Sequence, residues 1–179
     1  RVHAVELEDQ AWFPAVFRDA GTAYLRLAAD LAGQPAYMAP TPAQVLRVTG
    51  VRRVIDLCSG GAGPIPALIE QLNQAGLETT AVLTDRYPNV PTLEAVARGS
   101  GGRVEAHPEP VDATSVPEVL TGCRILCNAF HHFRPQQARR ILQSAVAAKQ
   151  PIAVFEATER SVPFLVGILF APIFFALAC

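Results

Sequence analysis

Between Val54 and Pro64 the chain reads Val-Ile-Asp-Leu-Cys-Ser-Gly-Gly-Ala-Gly-Pro. The apolar start predicts a buried strand, and the glycines predict a sharp turn into a helix beginning at Pro64. Gly60, Gly61 and Gly63 are more than a plain strand-to-helix turn needs. Without side chains they let a ligand approach the backbone, where the N–H groups of a helix start are aimed at it. Asp56 lies within the strand just before the turn. A carboxylate there would repel a pyrophosphate and suits a cationic or amino-bearing ligand. Neither G-x-G-x-x-G nor G-x-x-x-x-G-K-[ST] is present, so the dinucleotide and phosphate-loop fingerprints are absent.

The pattern around this turn alternates. Helices are expected over Pro64–Ala75, Pro91–Arg98 and Pro135–Lys149. Strands are expected over Arg53–Cys58, Thr79–Thr84, Arg103–His107, Arg124–Asn128 and Pro151–Phe155. Strands alternating with helices imply parallel pairing through right-handed crossovers. Upstream, residues 1–50 read as a helical cap. Leu7 to Leu31 carries apolar residues at a loose helical spacing, with Pro14 in its first turn and Gly33 near its stop. A second helix is expected from Thr41, with Thr41 as N-cap and Gln44 completing a capping box, ending at Gly50.

Composition narrows the function. The 179 residues suit one domain with at most a small extension. Half are hydrophobic and 17% are charged, which excludes a disordered chain. A net charge of −1 offers no basic excess for a phosphate backbone, so nucleic acid is not an expected partner. The basic residues are arginines except Lys149, a coding bias rather than a patch. Cys58, Cys123, Cys127 and Cys179 show no C-x-x-C spacing, and a reduced, cytoplasmic setting is expected. No apolar signal peptide opens the sequence, and the missing initiator methionine leads us to expect an N-terminus further upstream.

On the residues DLCSGGAG the chain resembles the class I S-adenosylmethionine-dependent methyltransferases, whose first motif places an acidic residue in the first strand before a glycine-rich turn. Cys58 and Ala62 stand where the common D-x-G-x-G-x-G has its outer glycines, while Gly60 keeps the middle one. Three later positions extend the resemblance over about residues 50–157: Asp85-Arg86 after the second strand, Asp112-Ala113 after the third, and Asn128-Ala-Phe-His-His-Phe133 after the fourth. The resemblance implies a Rossmann-like α/β fold with an open, mostly parallel sheet of order 3-2-1-4-5, flanking helices and an N-terminal helical cap. It implies S-adenosyl-L-methionine as cofactor and a small-molecule or apolar acceptor. The implied cofactor contacts are Asp56, Cys58, Ser59, Gly60, Gly61, Asp85, Arg86, Asp112, Ala113, Asn128, Ala129 and Phe130. Asp85 suits the ribose hydroxyls, since one carboxylate can accept both hydrogen bonds. Asp112 lies where the family often meets the adenine amino group. His131 and His132 are the candidate catalytic residues, since imidazole titrates near neutral pH and can take a proton from a nucleophile. Neighbours on an extended chain face opposite sides, so the pair is not expected to share a metal ion, and none is expected. Trp12, Phe13, Tyr24 and Tyr37 either cover the cofactor as a lid or simply pack the cap. Glu156 and Glu159 follow the fifth strand and are left open between substrate contact and a solvated turn.

Residues 51–161 are thus the expected cofactor domain, with 162–179 a separate apolar segment that is expected to continue into further sequence. Val162–Cys179 carries no charge and is interrupted by Pro163, Gly167 and Pro172. It admits three readings: an apolar helix on the sheet, contact with a membrane, or a face that docks to missing sequence or to a second copy of the chain. Rival functions are a non-catalytic cofactor-binding or scaffold module, a membrane-associated enzyme modifying a lipid, and a nicotinamide-dependent oxidoreductase, the last ranked low for want of its fingerprint. A segment with no polar face needs cover on every side. The full chain is therefore expected to associate in detergent-free buffer; deletion of residues 162–179 should improve solubility if the segment is an exposed contact surface, and unfold the domain if it is a core helix. Sedimentation of both forms checks this; a monodisperse full-length monomer would refute the exposed-surface reading.

Overall fold

The structure is a computed structural model that describes residue 10 and residues 12–156. The apolar segment 162–179, Glu159 and Cys179 lie outside the described residues. Five strands, β1 (Arg53–Leu57), β2 (Thr80–Thr84), β3 (Val104–Ala106), β4 (Cys123–Cys127) and β5 (Ile152–Phe155), form one sheet of order β3-β2-β1-β4-β5. Every pairing is parallel. The apolar runs read as strands are buried on both faces, as a parallel sheet requires. Along β1, Val54 enters one core with Ala81, Leu83, Cys123 and Ile125. Its neighbours Ile55 and Leu57 enter the other with Val82, Leu126 and Ile141. This is the period-two alternation of a strand.

The first core lies under α4 (Ile65–Gln74) and α5 (Val90–Gly99), whose Ile65, Leu68, Leu72 and Leu93 are fully buried. The second lies under α6 (Pro135–Ala147), which contributes Ile141 and Ala145 while Leu142 stays partly exposed. Helices on both faces and a sheet that starts at its centre make a doubly wound fold. Its connections diverge between β1 and β4, the place where ligands bind in such sheets. Burial holds the Cys123 thiol up at about 11, so it behaves as a small core residue.

The cap consists of α1 (Ala15–Leu31), α2 (Gln34–Met38) and α3 (Pro40–Thr49). Met38 and Leu46 anchor it in the first core. Helix α1 begins directly after Pro14, and residues 7–9 and 11 of the expected helix lie outside the described residues. The expected cap at Thr41 is not formed. Helix α3 starts two residues earlier, at Pro40, and its N-cap is Ala39 with no side-chain hydrogen bond. Ala39 already closes α2 in helical geometry, so the chain passes from one helix to the next without the extended residue that a Thr cap needs. The stop at Gly50 is as expected, with φ 71° and its N–H on the Leu46 carbonyl.

One polar feature and one close backbone approach tie β4 into the structure. Arg124 on β4 is buried, and its guanidinium donates to Ser144 Oγ at 2.9 Å and Gln150 Oε1 at 3.2 Å, fastening β4 to the end of α6. Gly122, just before β4, runs against β1: a Cβ there would stand 2.5 Å from the Arg53 carbonyl oxygen. That oxygen belongs to rigid strand backbone, so it cannot yield cheaply. Gly122→Ala is expected to lower stability by about 1–3 kcal/mol through overpacking. Urea unfolding followed by far-ultraviolet circular dichroism checks this, and an unchanged midpoint would show that the β1–β4 seam relaxes.

Candidate active site

The turn after β1 reverses the chain through left-handed backbone. Cys58 has φ 65°, Gly60 φ 51°, Ala62 φ 77° and Gly63 φ 44°. Cys58 and Ala62, the positions where glycine was expected, therefore hold a conformation costly for any residue with a Cβ, by about 1–3 kcal/mol each. The packing around the turn maintains it. Ala62 is fully buried, and its N–H is bonded to the Ser59 carbonyl at 2.8 Å.

Ser59 is the hub of this turn. Its N–H donates to the Thr84 carbonyl at 2.9 Å, and its hydroxyl accepts from the Thr84 N–H at 3.0 Å. The same hydroxyl donates to Asp56 Oδ2 at 2.6 Å, and the Thr84 hydroxyl donates to the Asp56 carbonyl at 2.7 Å. The ends of β1 and β2 are thus laced side chain to backbone. Asp56 is only 2% exposed. Burial pushes its carboxyl well above the usual carboxylate range; the Ser59 hydrogen bond works against this, and the charge of Asp85 adds to it.

Asp85 stands one residue beyond β2 and accepts from two backbone N–H groups. Gly60 donates to Oδ2 at 2.8 Å and Tyr87 to Oδ1 at 2.8 Å. The carboxylate thereby fixes the glycine turn from the side, and its remaining lone pairs can still accept. Asp112 forms a local turn with Thr114, whose N–H and hydroxyl both donate to Oδ1 at 2.7 Å. Partial desolvation pushes Asp112 up, but the Thr114 bonds and the charges of Arg86 and Arg140 outweigh it, and its carboxyl lies below the usual range.

These groups open onto one cavity of about 540 Å³ at the carboxyl edge of the sheet, roofed by α1. Such a volume falls within the roughly 300–1,000 Å³ of small-molecule sites. Of the expected cofactor residues, Cys58, Ser59, Gly60, Gly61, Asp85, Arg86, Asp112, Ala113, Asn128 and Ala129 line it, while Asp56 and Phe130 do not. His132 lines it and His131 does not.

The two histidines do not face opposite sides as an extended chain would require. They lie in a 3₁₀ turn (Phe130–His132), and their rings stack with centroids 4.4 Å apart. Glu156 holds this turn: one carboxylate oxygen accepts from the Phe130 N–H at 2.7 Å and the other meets His131 Nδ1 at 2.5 Å. Partial burial pushes Glu156 up, but the hydrogen bond and charge of His131 outweigh it and the carboxyl is held low. Burial, with the charges of Asp56 and Glu156, keeps the Cys127 thiol protonated. Among the described residues no three His, Cys, Asp or Glu side chains gather as a metal site, and no helix is long and apolar enough to cross a membrane.

The cap supplies lining that sequence reading missed. Arg18, Asp19, Thr22, Leu25, Arg26 and Ala29 of α1 line the cavity. The signal for them was present as i, i+3 and i+4 spacing, but only the fold says that this stripe faces the turn. Contact is close: a Cβ on Gly60 would lie 2.9 Å from Thr22 Cγ2, and one on Gly61 3.1 Å from the Thr22 carbonyl oxygen. Of the cap aromatics, Phe13 and Phe17 line the cavity, Phe17 while largely exposed, whereas Trp12, Tyr24 and Tyr37 do not line it and Trp12 and Tyr37 are exposed. Arg18 lies over the Tyr87 ring at 4.7 Å, and Arg86 lies 5.7 Å from it.

Known structures share this fold. The chain matches an O-methyltransferase family protein from Burkholderia thailandensis at a TM-score of 0.51 and 20% identity, over 76% of this chain and 40% of that one. It matches the S-adenosylmethionine-dependent methyltransferase SibL at 0.54 and 21% identity, over 77% and 41%. A third match is an O-methyltransferase family 2 protein from Planctomyces limnophilus, solved in complex with apigenin, at 0.50 and 20% identity, over 74% and 42%. The chain therefore spans about two-fifths of the length of these proteins. No protein-family model and no curated protein matches it. Its fold is the Rossmann-like fold of the class I S-adenosylmethionine-dependent methyltransferases.

The buried acid at Asp56 has a measurable consequence. A raised folded-state pKa means that the native chain holds this proton more tightly than the unfolded chain. Its contribution is fully present below the unfolded value of about 4 and is lost as pH rises through the folded value. Asp56→Asn, which cannot ionise, is expected to gain in stability relative to the unsubstituted chain between about pH 4 and pH 8. Urea midpoints at both ends check this, and a difference that stays constant would refute the buried-acid assignment.

Proposed function

We propose that the chain carries the cofactor and catalytic core of an S-adenosylmethionine-dependent methyltransferase acting on a small molecule. The observation that supports this best is the cavity over the glycine turn, lined together by Gly60, Gly61, Asp85, Asp112 and Asn128. Its donor set fits the cofactor. Asp85 can accept from a pair of ribose hydroxyls while keeping its two backbone bonds. Asp112, ionised at neutral pH, can accept from an exocyclic amine beside Ala113. The turn leaves the amino-acid end a close approach to backbone at Gly60 and Gly61.

When bound, S-adenosylmethionine supplies an electrophilic methyl group on a sulfonium. What remains for the chain is to bind, orient, keep water out and dispose of a proton. Helix α1 lies over the site and restricts water. Holding donor and acceptor in line is itself a large part of such catalysis. His132 lines the cavity and can accept the proton lost by a hydroxyl or amine acceptor. Glu156, by clamping Phe130 and His131, fixes the turn on which His132 sits. The small-molecule acceptor reading draws support from the cavity's size and from the O-methyltransferases that share the fold.

Calorimetric titration with S-adenosylhomocysteine tests the reading directly. Binding is expected for the unsubstituted chain, and Asp85→Ala should weaken it by about 1.5–3 kcal/mol, as for loss of hydrogen bonds to a charged group. Unchanged affinity in a folded variant would remove Asp85 from the ribose site. No binding by the parent chain, with NAD bound instead, would favour an oxidoreductase.

A further inference from the structure

Helix α1 crosses the carboxyl edge of the sheet in a known direction. Arg18 stacks on Tyr87, beyond β2. One turn later Thr22 packs on Gly60 and Gly61, beyond β1. At the far end Gln34, which opens α2, accepts from Asn128 Nδ2 at 3.3 Å, beyond β4. Arg26 follows Thr22 by one further turn, about 6 Å along the axis. It therefore reaches the part of the cavity between the glycine turn and the β4 loop. Arg134, after the histidine turn, lines the same cavity beside Phe133 and Gln137.

The charges of the cavity are unevenly spread. The lining carboxylates are Asp19, Asp85 and Asp112. Asp85 and Asp112 follow β2 and β3, and Asp19 lies on α1 next to Arg18, so all three belong to the β2 side. Arg18 and Arg86 are engaged there with Tyr87. On the β4 side no carboxylate lines the cavity, and Glu156 nearby is committed to His131 and the Phe130 N–H. Among the described residues neither Arg26 nor Arg134 has an ion pair, and neither guanidinium has a carboxylate to answer it. A guanidinium presents a planar fork that matches a carboxylate with two parallel hydrogen bonds.

We propose that Arg26, with Arg134, makes the β4 end of the cavity a subsite for a ligand carboxylate. The inference deepens the methyltransferase reading and rests on it for the identity of the ligand. Two sources share this chemistry: the amino-acid end of the cofactor and an acidic acceptor such as a hydroxylated aromatic acid.

Three probes separate them in calorimetric titrations of the full chain. S-adenosylhomocysteine carries the cofactor's carboxylate. 5′-Methylthioadenosine is the same thioether without the amino-acid end. 4-Hydroxybenzoate, added with S-adenosylhomocysteine at saturation, stands for an acidic acceptor, with 4-cresol as its uncharged control. Arg26→Gln and Arg134→Gln are the variants, with Arg26→Lys as a charge-retaining partner and circular dichroism to confirm folding. The subsite predicts that one carboxylate ligand loses at least about tenfold in affinity in Arg26→Gln. Arg26→Lys should recover part of it, and 5′-methylthioadenosine should bind all forms alike. Loss confined to S-adenosylhomocysteine assigns the carboxylate to the cofactor, and loss confined to 4-hydroxybenzoate assigns it to the acceptor. Equal affinities of both carboxylate ligands for the parent chain and both glutamine variants would overturn the subsite. So would an equal loss for 5′-methylthioadenosine, which points to a distorted cavity. If the parent chain binds neither adenosyl compound, the methyltransferase reading fails instead. The subsite is then upheld by 4-hydroxybenzoate binding that the variants lose, and overturned by its absence.

Discussion

The site depends on the hydrogen bonds that Ser59 makes between β1 and β2. Its hydroxyl and N–H bind both backbone groups of Thr84 and, through the hydroxyl, Asp56. With Ser59 fixed, the chain has to leave β1 through left-handed residues, and Cys58 and Ala62 accept that conformation although they are not glycine. Buried hydrogen bonds of this kind contribute about 1 kcal/mol each, more where a charged group takes part. Together they can offset the strain of two unfavourable residues. The turn then presents Gly60 to Asp85 on one side and Thr22 on the other. Sheet, turn and cap are therefore one mechanical unit rather than a scaffold with a loop attached.

Charge follows the same geometry. The acids divide by environment: Asp56 is buried and favours its proton, whereas Asp112 and Glu156, supplied with donors and cations, favour ionisation. The carboxylates that can meet a ligand lie at the β2 and β3 end of the cavity, and Arg26 and Arg134, which have no ion pair among the described residues, are proposed to serve the β4 end. A ligand with hydroxyl or amino groups at one end and an anion at the other would match both ends.

Much of the fold was legible in the sequence because each element carried its own local instruction. The strands were short apolar runs, the helices opened at Pro64, Pro91 and Pro135, and Gly50 ended α3 with positive φ. From β1 onward the element boundaries moved by only a residue or two, as fraying ends do, whereas in the cap the first helix begins at Ala15 and the Pro-rich connection Gln34–Met38 is itself helical. Another exception was Thr41, where a good cap sequence lost to a neighbouring helix that ran straight into α3. The candidate site was legible where it follows the strand ends, at the glycine turn, Asp85, Asp112 and Asn128. Its other wall was not, because Arg18, Thr22 and Arg26 lie on α1, remote in sequence from the strands they cover.

The sequence by itself determined the elements, their parallel pairing and the glycine turn, since propensity and periodicity act over a few residues; the strand order followed only from the family resemblance. Tertiary structure decided which acid is exposed to a ligand and which is sealed away. Asp56 and Asp85 look alike in the sequence, each an aspartate at a strand end. One is enclosed by both neighbouring strands and the turn, and the other projects one residue past the sheet. It also decided the fate of His131 and His132, whose rings a 3₁₀ turn brings into tilted contact, with the carboxylate of Glu156 on His131. Burial and partnership depend on segments far apart along the chain, and no local pattern encodes them.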